Sequence, residues 1–165
     1  MPSVIAEAGG PMKAMFFTFD GRIGRRTYWI GATLLIVALI VAVLPIAIVE
    51  AIFVSEGPMS RWGTIAIFIL TLLAMVPAYS LTIRRINDLD QPAWTAWALV
   101  GISVVDAARS SAGVAYGTNL LTMAFGLLFA LAFLWAVIVL GFRRGTIGPN
   151  RHGPDPVASD GPGAA

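Results

Sequence analysis

The sequence contains no cysteine and a single histidine, His152. A disulfide scaffold, a thiolate metal site, an iron–sulfur cluster and a cysteine nucleophile are therefore excluded, as are clusters of histidine ligands. Charge is scarce as well. Only 12% of the 165 residues are Asp, Glu, Lys or Arg, against ~25% in soluble domains. Residues 1–15 lack the apolar core of a signal peptide. The first long apolar run lies behind Arg22, Arg25 and Arg26 and exceeds the ~7–15 residues of such a core, so it reads as a retained membrane span.

What is present is apolar sequence in blocks. Apolar residues make up 58% of the chain, and residues 27–49, 62–83, 91–105 and 110–142 carry no charge. A helix needs ~20 apolar residues to cross ~30 Å of hydrocarbon. The pattern predicts an all-α polytopic membrane protein with four transmembrane helices, over about 28–49, 62–83, 93–109 and 120–142. Together they form a membrane domain over 14–156, between a flexible N-terminal tail, 1–13, and a disordered C-terminal one, 157–165. Ser60 and Asn119 suit helix N-caps, Pro92 suits a first helical position, and Pro45 and Pro77 fall inside spans. The third segment is the shortest. Asp106 and Arg109 stand three apart, on one helical face, so a short full crossing that ends in them is expected, with a re-entrant segment as the alternative.

Charge sets the orientation. Lys13, Arg22, Arg25, Arg26, Arg84, Arg85, Arg143, Arg144 and Arg151 fall on one side of this topology, and only Arg61 and Arg109 on the other. By the positive-inside rule, both termini should be cytoplasmic. Tyr28, Trp29, Trp94 and Trp97 fall at the inner interface and Trp62 at the outer one, while Trp135 is expected to pack between helices. Diarginines recur at 25–26, 84–85 and 143–144. The plain reading is that two crossings and a loop occupy that spacing, with arginine closing each inner end.

Three clusters on the inner side carry the polar chemistry. The first is Phe16–Arg26 with Tyr28 and Trp29, where phenylalanines and arginines at a span entry can sit among headgroups and meet their phosphates. In the second, Asp88 lies four residues after Arg84 and three after Arg85, so a helical turn can pair them and orient guanidinium groups beside the membrane. The third, Gly148–Pro156, holds three prolines and two glycines and reads as a rigid turn. Through Arg151 and Asp155 that turn could dock against Asp88 and Arg22 or Arg25. His152 reads as a solvated loop residue.

These motifs resemble one known family. They are the opening Phe-x-Phe-x-Gly-Arg-x-Gly-Arg-x-x-Tyr-Trp (Phe17 to Trp29), the diarginine-plus-aspartate segment after the second span, and Gly-x-Asn-Arg-x-Gly-Pro-Asp-Pro (Gly148 to Pro156). The resemblance is to the small bacterial inner-membrane proteins catalogued as domain of unknown function 805, and it covers about residues 14–156. It implies a bacterial plasma-membrane location and a multi-pass fold, and no mechanism. Asn87 stands where the family more usually has histidine and His152 where an aromatic is usual, so no role falls to a histidine before Asp88.

Enzyme signatures do not assemble. Asp88-x-Asp90 cannot hold two metals, and no histidine lies in a span to activate Ser103. No charged residue sits at the centre of a predicted span, which disfavours ion-coupled transport. The expectation is a non-enzymatic membrane interaction or accessory protein without cofactor or metal. Arg22, Arg25, Arg84, Arg85 and Arg151 are its candidates for binding anionic lipid headgroups or a membrane-protein partner. Asp88 and Asp155 are candidate structural ion-pair residues. A homo-oligomer is compatible with this reading, and no nucleic acid is expected. The alternative is a small oligomeric channel or transporter.

Overall fold

The structure is a computed structural model that describes residues 11–53 and 59–157. The rest of both expected tails, 1–10 and 158–165, lies outside the described residues. Residues 11–13, also expected in the N-terminal tail, instead open a short helix, α1 (Pro11–Phe17). Four longer helices follow: α2 (Arg25–Phe53), α3 (Arg61–Asp88), α4 (Trp94–Ser111) and α5 (Leu120–Ala136), the last running on as a π-helical turn, Val137–Phe142. The described residues contain no β-strand, only an isolated bridge between Asn150 and Gly153. The all-helical expectation holds.

Among the described residues, three helices are long and apolar enough to cross a membrane: Arg25–Phe53, Arg61–Asp88 and Leu120–Phe142. The expected fourth, α4, is not among them, because its eighteen residues include Asp106 and Arg109. These two pair with each other, Asp106 accepting from Arg109 Nε at 3.0 Å and Nη2 at 2.8 Å. Tyr116 adds a hydrogen bond to the same carboxylate and lies 3.7 Å under the Arg109 guanidinium. The loop after α4 is thereby tied back to the helix.

Local signals place the helix ends. The Ser60 hydroxyl accepts from Gly63 N at 3.0 Å, as an N-cap should. Its own backbone N–H donates to Glu50 at 2.7 Å, which closes the α2–α3 hairpin. Asn119 and Thr122 form a reciprocal capping box at the start of α5. At the end of α3, Asp90 N donates to Asn87 O at 3.2 Å and Gln91 N to Ile86 O at 3.1 Å. That is a Schellman stop with Asp90, at φ 52°, where glycine is the usual occupant.

The helices bury little along their length. Within the most apolar stretch of α2 no residue is buried, and Ile36, Val41, Ile52 and Phe53 stand more than half exposed. In hydrocarbon such side chains need no protein cover, since lipid is as apolar as leucine. Trp135, expected between helices, keeps 37% of its surface exposed. The buried core instead gathers at one end of the bundle. There Ile83, Ile86, Leu89, Ala96 and Leu140 form one cluster and Phe16, Ile23 and Leu81 a second. Gly31 lets α2 approach α3, since a Cβ there would stand 2.7 Å from Leu81 Cδ2. The polar residues buried at this end include Arg22, Ser80, Arg85, Asn87 and Asp88.

Candidate functional site

The last turn of α3 brings Arg85 and Asp88 to one face at i and i+3, and tertiary packing then encloses both. The Asp88 side chain is 3% exposed. Its Oδ1 accepts from Arg22 Nε at 3.1 Å and Nη2 at 3.0 Å, while its Oδ2 accepts from Arg85 Nη1. One carboxylate between two buried guanidinium groups leaves a net positive charge, which backbone carbonyls must offset. They do. Arg22 donates to Thr146 O at 2.7 Å, Gly148 O at 2.8 Å and Gly153 O at 3.3 Å. Arg85 donates to Leu140 O at 2.7 Å, Ile23 O at 3.4 Å and Arg143 O.

The π-helical turn explains how α5 supplies those carbonyls. A helix C-terminus leaves its last four C=O groups without intrahelical donors and carries partial negative charge. Here Arg85 takes Leu140 O, the Trp29 indole takes Gly141 O at 3.1 Å, and Arg25 takes Phe142 O at 3.2 Å. Gly141 lies against Trp29, where a Cβ would stand 2.7 Å from Cζ2. Arg85 is therefore both the partner of Asp88 and a cap for α5.

Residues 144–157 close the site. Gly145 passes so near Asp88 that a Cβ would lie 2.0 Å from Oδ2. Thr146 N donates to Asp88 O at 2.8 Å, and the Asn150 amide donates to Asn87 O at 3.0 Å. The turn docks where expected but through other groups, because Arg22 holds its carbonyls instead of a side-chain carboxylate. Asp155 accepts from Gly148 N at 3.0 Å and Val157 N at 2.9 Å. Arg151 pairs with Asp90 at 2.9 Å, with the two side chains 62% and 45% exposed. Screening at such exposure leaves little stabilisation, so Arg151→Ala should shift stability by no more than ~0.5 kcal/mol in an unfolding titration.

The amides of Val157 and Gly148, with Arg22 and Arg144 nearby, hold the Asp155 carboxyl below its ordinary 3.8. A depressed carboxylate adds stability above its unfolded value and loses it as pH falls through the folded one. Protection of the Gly148 amide from hydrogen exchange should therefore persist down through pH 3.8 and be lost only at lower pH, where the folded carboxyl takes up its proton.

The other expected binding residues separate by environment. Arg84 does not pair with Asp88. It donates to Ala14 O at 3.2 Å and Met15 O at 3.3 Å at the end of α1. Arg22 and Arg85 are enclosed, whereas Arg25, Arg26, Arg143 and Arg144 are exposed. Gly145, Thr146 and Asn150 escaped sequence reasoning. Their roles depend on an approach to α3 from about sixty residues away, and no local pattern signals it.

A cavity of about 140 Å³ opens beside the triad, lined by Gly24, Arg25, Arg85, Asp88, Arg144, Gly145, Thr146, Asp155 and Val157. Among the described residues, no three His, Asp or Glu side chains converge as a metal would require. The donors offered here are the guanidinium groups of Arg25, Arg85 and Arg144, suited to an anion.

No curated protein and no solved structure matches the chain. The family model described as protein of unknown function (DUF805) matches residues 16–154. It takes in Arg22, the α3 terminus and the closing turn as far as Pro154, so the chain that builds this site belongs to the DUF805 family.

Proposed function

We propose that the chain is an integral protein of the bacterial inner membrane with four crossings and both termini cytoplasmic. In this reading it is a non-enzymatic interaction or accessory protein whose arginine-rich face binds anionic lipid headgroups. Support for α4 as the fourth crossing comes from its length, ~27 Å at 1.5 Å per residue, and from the mutual neutralisation of Asp106 and Arg109 at its end.

The observation that carries the binding reading is a division of labour among the arginines. Arg22 and Arg85 are enclosed with Asp88, yet the guanidinium groups of Arg26, Arg143 and Arg144 make no hydrogen bond to any described residue, and these residues are exposed at the same end of the bundle. Folding accounts for the first pair and not for these three. Near an anionic surface each cation contributes ~1 kcal/mol. Arg26→Gln/Arg143→Gln should therefore weaken retention of phosphatidylglycerol about thirtyfold, read by native mass spectrometry from lipid nanodiscs after equal insertion is confirmed. Unchanged retention would overturn the reading. Substituting Arg84 and Arg85 instead would confound binding with folding.

The second reading, a small oligomeric channel or transporter, draws on a larger cavity of about 680 Å³ between α3, α4 and α5, lined in part by Thr64, Thr71, Ser103 and Asp106. Flux across reconstituted vesicles tests it, and silence over a broad solute panel removes it.

A further inference from the structure

The 140 Å³ cavity beside Asp88 combines features that folding alone does not require. Arg144 lines it and makes no hydrogen bond to a described residue, and Arg25 uses only Nη1, toward Phe142 O. Arg22 and Arg85 add two more positive charges behind them. Against these four stand Asp88, held between Arg22 and Arg85, and Asp155, held by two backbone amides. Among the described residues, these six side chains carry a formal charge of +2, which the carbonyl dipoles on Arg22 and Arg85 solvate without cancelling.

The start of α2 adds to the same imbalance. Gly24 is its N-cap, since Tyr28 N donates to Gly24 O at 3.0 Å, and it has no side chain to satisfy the first amides. The first turn holds no acidic residue and begins instead with Arg25 and Arg26. Cations at the positive end of a 29-residue helix oppose its dipole. An anion in the cavity would relieve that conflict.

Size narrows the ligand. One buried water needs ~10–15 Å³ on this measure, so the cavity has room for a phosphate-sized group and its hydration. It falls short of the ~300–1,000 Å³ of sites for drug-sized ligands. A phosphate monoester carries about −1.5 to −2 charge at neutral pH, which matches the formal charge of +2. A diester carries one charge and a second substituent to accommodate.

Resting on the anionic-lipid reading above, we infer that this cavity is a binding site for a phosphate dianion, as a monoester lipid headgroup or as free orthophosphate. Exposed Arg25 and Arg144 grip it from the mouth, and buried Arg85 lines the cavity behind them.

Gly24 provides a test that removes no cation. A Cβ there meets nothing within 4 Å. Gly24→Asp would place a tethered carboxylate at the N-cap, where aspartate is a preferred residue. The experiment measures binding of dioctanoyl phosphatidate, dioctanoyl phosphatidylglycerol and orthophosphate to the full-length protein in detergent, by native mass spectrometry. We expect one equivalent of phosphatidate, held at least tenfold (1.4 kcal/mol) more tightly than phosphatidylglycerol. Arg144→Gln should weaken it at least tenfold, and Gly24→Asp should abolish it while leaving thermal stability equal or higher. Orthophosphate that competes on equal terms identifies free phosphate as the ligand, whereas phosphatidate binding that orthophosphate fails to displace identifies the lipid.

Equal affinity for phosphatidate and phosphatidylglycerol would overturn the dianion site and leave the anionic-lipid reading standing, as would phosphatidate binding that survives both variants. Absence of binding by all three probes would overturn the dianion site, and in that case the nanodisc measurement with Arg26 and Arg143 separately decides the broader reading.

Discussion

Asp88→Ala should cost about 3–5 kcal/mol of stability, the range found when one partner of a buried ion pair is removed. The variant leaves Arg22 and Arg85 facing each other in a site where the Arg22 side chain is 1% exposed and that of Arg85 0%, with no anion between them. Total stabilities of ~5–15 kcal/mol make this a loss of about a fifth or more. The same carboxylate links α3 to residue 22, and Arg85 links α3 to the end of α5. The loss should therefore appear as release of the closing turn together with the α5 terminus, in one cooperative step. Reversible unfolding in mixed micelles measures it. A cost below about 1 kcal/mol, the level of an exposed pair, would show that the carbonyls alone hold both arginines.

Gly145→Ala should come close to the same cost through a different atom. Its added Cβ would lie 2.0 Å from Asp88 Oδ2 and 2.5 Å from Cγ, well inside contact distance. A flexible side chain could move aside, but this carboxylate is gripped by Arg22 on one oxygen and Arg85 on the other. Either the triad breaks or Thr146 gives up its 2.8 Å hydrogen bond to Asp88 O. A cost of ~3 kcal/mol is expected, and it should be strongly non-additive with Asp88→Ala, because the obstacle is then already gone. A coupling of 0.5–3 kcal/mol is the signature of residues in contact. Full additivity in the double-mutant cycle would separate the two residues and contradict the packing described here.

These predictions fall on residues that sequence reasoning treated unequally. Asp88 and Arg85 were legible as a pair because their spacing of three is a helical one, and Asp106 with Arg109 repeats that logic. Arg84 was equally eligible by spacing and turned toward α1, since one helix face cannot present both neighbours to the same partner. Arg22 read as a ligand-binding cation, yet it is buried against a carboxylate 66 positions away. A charge pattern does not reveal whether other elements will cover it. Gly145 carried no signal at all. It stands in ordinary space along the chain, and only the approach of α3 makes a Cβ intolerable there.

Hydrophobic runs, caps and charge asymmetry act over one helix or less, so the sequence by itself determined the four longer helices though not α1, the helix starts at Ser60 and Asn119, and the apolar lengths of α2, α3 and α5. Which arginines became core and which stayed outside depended on contacts between positions about sixty to a hundred and thirty residues apart. The tertiary structure alone decided that. It set two guanidinium groups against one carboxylate, met the excess charge with carbonyls from the end of α5 and the closing turn, and left Arg25 and Arg144 around a cavity with donors to spare. The physical reason is that burial changes what a charge needs. In water an arginine is satisfied wherever it stands, but an enclosed one must find every partner within the fold.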